Sequence, residues 1–391
     1  MDSAYLIVGL IILSRLLLPL AIPHYPLPAI IASLILDGVD QTILQQSTDL
    51  ELLGYQGYDK ALDIYYLTIA YLSTMRNWSS TYAFRTSQFL YYFRLVGVLL
   101  FEITQARWLL MAFPNTFEYF FIFYEAVRTR WNPLRMSAGF VIGAAAFIWI
   151  VIKLPQEYWI HVAQLDTTDV IREDIFGVTV TTSWGDIVSD NVGVFVALGI
   201  GLVALAFGIR WFMANRLPAG DWGWTFAADA PGRDLAPVQA AAATAYRPNR
   251  VFTLELFEKV VMLSLVSAIF SQLLPGVSAS RLQIGIGVAV WVVLNTALSE
   301  LLARRGVDFG SALRQFGIMV GVNLGIVIAV ELLVLDEDLD FGSTLFFTLL
   351  LALMITFYDR YRPLYLERTW IDREPGMVAT DRRQPLVDPV R

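Results

Sequence analysis

The chain has 391 residues, 57% of them hydrophobic and 16% charged, with a formal net charge of −7. An ordinary soluble domain carries roughly 25% charged residues, and a length that would suit two or three soluble domains is filled here by long apolar runs. Cysteine is absent, which excludes disulfides, thiolate metal sites and cysteine nucleophiles, and two histidines, His24 and His161, are too few for a multi-histidine metal centre. In such a chain the distribution of charge says more than its sum, and no nucleic-acid partner is expected.

In chain order the apolar runs fall at 4–22, 27–45, 61–76, 84–103, 108–127, 136–154, 190–212, 252–274, 283–302, 314–335 and 342–358. Each approaches the roughly 20 apolar residues that cross ~30 Å of hydrocarbon. The runs are continuous rather than alternating, so they predict helices and not strands of a barrel. The expectation is an all-α, polytopic integral membrane bundle of about eleven transmembrane helices, or ten if 27–45, interrupted by Asp37 and Asp40, is re-entrant.

Charge orients the runs. One set of connections carries Arg76 and Arg85, Arg128, Arg130 and Arg135, Arg216, Arg247 and Arg250, Arg304 and Arg305, and the tail from Arg360; the other carries Asp49 and Glu51, the acids from Glu157 to Asp190, and Asp336 to Asp340. The positive-inside rule then predicts a multi-pass protein of the cytoplasmic membrane with its C-terminus in the cytoplasm. The domain reading is a first membrane domain over 1–212 with about seven spans and an external loop over 155–189, amphipathic through Tyr158, Trp159, Val162 and Leu165. A flexible cytoplasmic linker follows over 213–251, then a four-span membrane domain over 252–362 and a disordered cytoplasmic tail over 363–391.

Acidic residues supply the candidate site. Asp37, Asp40, Gln41 and Gln45 share a helical face, as do Asp59 and Asp63. Antiparallel neighbours at 27–45 and 61–76 would bring these carboxylates together near the outer surface. Carboxylates at membrane depth are costly and point to function; hard oxygen ligands suit Mg²⁺, another divalent cation, or protons. The bland alternative is structural pairing, with Lys60 beside Asp59 and Asp63. Asp37-Gly38 and the Asp59-x3-Asp63 spacing resemble two pieces of the D-x2-D-G-x2-A-R-x8-G-x3-D-x3-D motif of the CDP-alcohol phosphotransferases. That resemblance implies a metal-binding aspartate cluster, although Leu34 stands at the first aspartate and Gln41-Thr42 at the Ala-Arg pair.

Three further features carry expectations. Arg94 and Glu118 lie at similar depth, roughly 17–20 Å from the intervening turn at 1.5 Å per residue, and an unpaired arginine there would be very costly, so they are expected to pair. Glu255 and Lys259 are spaced i, i+4 in the order that favours a helix pair. Gly317, Gly321 and Gly325 form a small-residue face that suits close helix packing or an oligomer seam.

The leading functional reading is an ion- or proton-coupled transporter. Asp37, Asp40, Asp59 and Asp63 would bind the ion, Arg94 and Glu118 would brace the path, and the partners would be the lipid bilayer and a small solute or lipid substrate. The alternatives are a metal-dependent membrane enzyme acting on a lipid or lipid-linked substrate, phosphotransferase-like, and a non-catalytic membrane subunit.

Overall fold

The computed structural model describes residues 3–47, 55–163, 170–229, 254–273, 287–297, 314, 316–325 and 341–373. Every regular element among them is helical. In chain order these are α1 (Ser3–Leu17, continued by a 3-10 turn over Leu18–Ala21), α2 (Pro26–Ser47), α3 (Tyr55–Asn77), α4 (Thr81–Thr104), α5 (Trp108–Ala112) and α6 (Thr116–Arg128). Then come α7 (Ala138–Val162), α8 (Trp184–Asp190), α9 (Val192–Asn215), α10 (Leu254–Leu273), α11 (Gly287–Ala297), α12 (Phe316–Gly325) and α13 (Phe341–Arg373).

Local chemistry sets the ends. Ser80 caps α4 by accepting the Ala83 N–H at 3.3 Å, and Gln105 closes it in the left-handed region at φ 56°. Ser137 caps α7 through the Phe140 N–H at 3.2 Å. Within α7 the ladder widens to π-turns over Ile148–Lys153 and Tyr158–Val162. Pro155 lies between them and lacks an N–H, which breaks the i→i−4 register.

The core gathers around α3. Helix α13 packs along it, α10 against α3 and α4, α6 against α2 and α4, and α1 against α2 and α3. Aromatic rings fill the interior. Tyr71 stacks on Tyr91 with centroids 4.3 Å apart, and Trp78 lies 4.0 Å from Tyr124, all four fully enclosed. A segment after α9 is bonded back over the end of α6: the Asp221 and Trp222 N–H groups donate to Arg130 O, the Thr225 N–H to Thr129 O, and the Ala228 N–H to His24 O.

The expected eleven-span bundle is corrected by these helices. Among the described residues two are long and apolar enough to cross a membrane, Ala138–Val162 and Val192–Phe212, by length and composition. Leu6–Ala21, Gly287–Ala297 and Phe316–Gly325 are shorter apolar helices. The run at 108–127 is two helices, α5 and α6, broken around Pro114. Those at 61–76, 84–103, 252–274 and 342–358 turn large faces toward one another and enclose polar groups such as Thr68, Ser73, Thr74, Ser87 and Lys259. A helix that is apolar nearly all round is a membrane span or an enclosed core helix, and composition does not tell the two apart. The multi-pass placement in the cytoplasmic membrane, the inside and outside assignment of loops, and the bilayer as partner rested on that count and fall with it.

The transporter reading, the metal-dependent membrane enzyme and the membrane subunit presupposed the same bundle and fall too. One apolar surface does stay uncovered by described residues: no part of the Val192–Phe212 stretch is buried. Helix α13 runs on through Pro363 to Arg373, where a disordered tail was expected; residues 374–391 lie outside the described residues.

Candidate functional site

Three of the four predicted aspartates come together, on a cation supplied by the chain itself. Arg15, on α1, is buried. It donates from Nη1 to Asp40 Oδ2 at 2.5 Å, from Nη2 to Asp63 Oδ1 at 2.5 Å, and from Nη2 to Asp37. Helices α1, α2 and α3 must all be in place for this contact, which is why the sequence alone leaves it undetermined. The Asp59 side chain lies outside the described residues. Among the described residues no group of three His, Cys, Asp or Glu side chains is arranged to hold a metal ion. A guanidinium with several fork donors gives these carboxylates a counter-ion already. Burial, and next the neighbouring Asp37, push the Asp63 carboxyl well above its ordinary range, with Arg15 opposing.

A second cluster begins one helical turn along α3. The Tyr66 hydroxyl donates to Glu118 Oε1, and the Asn115 Nδ2 donates to Glu118 Oε2 at 3.1 Å. Lys153 Nζ, from α7, stands 3.9 Å from Glu118 Oε2 and 3.8 Å from the centroid of the Tyr119 ring. Glu157, one turn further along α7, accepts the Asn115 backbone N–H at 3.2 Å and pairs with His161 Nε2 at 3.0 Å. Glu118, Lys153 and Glu157 are all buried. Burial raises the Glu118 carboxyl, an effect only partly offset by Lys153 and Tyr66, and burial lowers the Lys153 ammonium against the pull of Glu118. Each shift favours the neutral form of its group, as desolvation does.

Arg94 and Glu118, expected as a pair, approach without one. Arg94 Nη1 donates to Phe113 O at 3.0 Å, in the turn between α5 and α6, while Glu118 takes Lys153 as its cation. Lys259 pairs with Asp359 at 2.8 Å and donates to Thr296 at 3.0 Å rather than pairing with Glu255. Among the described residues nothing lies within 4 Å of where a Cβ would sit at Gly317, Gly321 or Gly325. Nearby, Asn295 donates to Asn323, bridging α11 and α12.

Groups of this network that escape the sequence reading include Arg15, Tyr66, Lys153 and His161. A signal for two of them is present. Lys153, Glu157 and His161 stand at i, i+4 and i+8, one face of one helix, hidden by ending the run at 154.

Beside the second cluster lies a groove of about 840 Å³, lined by Leu34, Tyr119, Phe123, Phe140, Phe147 and Ile152 among others, with Gly139 and Gly143 on its α7 side. Among the described residues nothing stands within 4 Å of where a Cβ would sit at either glycine. Volume and lining fall within the range of small-molecule sites, which are mostly apolar with a few polar groups at one point.

No family model, no curated protein and no solved structure matches the chain.

Proposed function

We propose that the protein binds an elongated apolar molecule in the groove along α7, with the polar end of that molecule directed to Lys153 and Glu118. One observation carries this reading: Tyr119 belongs to both places. Its ring lines the groove and also holds Lys153 Nζ against its face. Apolar lining supplies affinity through burial, about 25 cal/mol per Å², and the Lys153–Glu118 pair supplies orientation. Titratable groups shifted toward neutrality beside an apolar pocket mark a functional-site candidate. A second reading, a partner helix lying in the groove, is favoured only by Gly139 and Gly143, whose bare backbone suits close helix approach.

The test is saturable binding of N-phenyl-1-naphthylamine, a neutral apolar fluorophore, to the purified full-length protein. Leucine at Gly143 projects into the open groove. Gly143→Leu is expected to weaken the saturable phase by about tenfold or more, a loss of about 1.4 kcal/mol, while the non-saturable signal from the exposed α9 surface stays the same. Equal saturable binding by the two proteins would sink the reading. Absence of a saturable phase, with Gly143→Leu disrupting a co-purifying assembly, would favour the partner helix.

A further inference from the structure

Helix α9 is apolar on every side, and no part of Val192–Phe212 is buried by the described residues. Twelve large apolar side chains stand exposed along it, from Val194 at 49% to Phe207 at 67%. Together they present on the order of 1,000 Å² of apolar surface, whereas the largest such patch on an ordinary monomer is about 300–600 Å² and a larger one marks an interaction site.

The pattern along the helix is self-complementary. Gly193, Ala197, Gly201, Ala204 and Gly208 share one face, and among the described residues nothing stands within 4 Å of where a Cβ would sit at the three glycines. The order of these residues reads almost the same in both directions. Two antiparallel copies centred between Ile200 and Gly201 set Gly193 opposite Gly208 and Ala197 opposite Ala204, as the two-fold axis of an isologous dimer requires. Charge favours the same orientation. Asp186 and Asp190 are exposed at the amino end of α9, in α8, and Arg210 and Arg216 are exposed at its carboxyl end. Antiparallel pairing puts acidic ends beside basic ends and opposes the helix dipoles; parallel pairing puts like beside like. The 21-residue stretch is about 31 Å long at 1.5 Å per residue. Two such helices packed along their length bury on the order of 1,000 Å² in total, the extent a specific interface needs.

We propose that α9 is the seam of a homodimer, occupied by the α9 of a second copy running antiparallel. A hydrocarbon surface would take this helix in any rotation; the registered small-residue face and the opposite charges at its two ends fit a second copy. The seam is independent of the groove along α7.

The chain has no cysteine, so single cysteines report the seam directly. A disulfide needs Cα atoms within about 7 Å. Full-length Gly201→Cys is expected to cross-link to itself under oxidation. Gly193→Cys alone is not, because its two copies lie about 22 Å apart in this register, but it is expected to cross-link to Gly208→Cys when the two variants are mixed. Gly201→Glu sets two carboxylates against each other at the two-fold axis and is expected to raise the dimer dissociation constant in sedimentation by about tenfold or more. Unchanged saturable binding of N-phenyl-1-naphthylamine shows that this variant is folded. A wild-type chain that sediments as a monomer at all concentrations overturns the proposal. So does cross-linking of Gly193→Cys to itself, which requires parallel helices. Flotation of the protein with phosphatidylcholine vesicles, without cross-linking of Gly201→Cys, assigns the surface to lipid and overturns it too.

Discussion

Arg15 Nη1 and Asp40 Oδ2 stand 2.5 Å apart with side chains 3% and 1% exposed, across 25 residues of sequence. Neither group keeps appreciable water, so each depends on the other. Removing one partner of a buried pair costs about 3–5 kcal/mol, because a desolvated charge is left behind. Arg15→Met is expected to destabilise the protein by that amount in urea or thermal denaturation. Arg15→Met combined with Asp40→Leu is expected to recover part of the loss, since Asp37 and Asp63 still lose their counter-ion. Equal stability of Arg15→Met and wild type would remove the cluster as a structural centre.

Asp63 gives the cluster a pH dependence with a definite sign. Its folded-state carboxyl lies well above 3.8, through burial first and Asp37 second. The folded state therefore binds more protons at this site than the unfolded state does. The contribution is fully present below pH 3.8 and is lost as pH rises through the folded value. Asp63→Asn, which stays neutral, is expected to gain stability over wild type as pH rises, with the difference vanishing in acid. Denaturant midpoints across pH 3 to 8 measure it, and a difference that grows toward acid would reverse the assignment.

His24 moves the other way. Burial and the neighbouring Arg76 hold its imidazolium below 6.5, while Asp229 opposes them. Its contribution to stability is present above pH 6.5 and is lost as pH falls through the folded value. Because the chain has two histidines, a His161→Gln variant isolates the His24 resonance for titration. The expected midpoint lies below 6.5, and Asp229→Asn is expected to lower it further. An increase in Asp229→Asn would show that the His24 environment is wrongly placed.

Two glycines should respond oppositely to alanine. At Gly97 a Cβ would come within 2.1 Å of Phe113 Cβ and 2.6 Å of its Cγ. Phe113 is itself held by Phe93, with ring centroids 4.5 Å apart. Overpacking of this kind costs about 1–3 kcal/mol, so Gly97→Ala is expected to lower stability by that amount. At Gly143 no described residue stands within 4 Å of a Cβ, and alanine relieves the entropic cost of a mid-helix glycine, about 0.5–1 kcal/mol. Thermal melts of the two variants, measured together, decide the point: displacement in the same direction would contradict the packing described.

Among the described residues the sequence by itself determined that the long apolar runs are helical, though not that α13 continues to Arg373, because apolar patterning and local signals such as Ser80 and Ser137 act within a turn or two of the chain. It also brought Asp37, Asp40, Asp59 and Asp63 forward as a group, because their spacings place each pair on a helical face. Only the tertiary structure decided what those helices face. An apolar helix reads the same whether other helices or hydrocarbon surround it, so the eleven-span count was an inference about environment drawn from composition. Charge partners were equally out of reach: Arg15 meets its three acids across 22, 25 and 48 residues, and Glu118 takes Lys153 rather than Arg94. Helix formation is a local property of the chain, whereas burial and ion pairing depend on helix rotation and packing between distant segments.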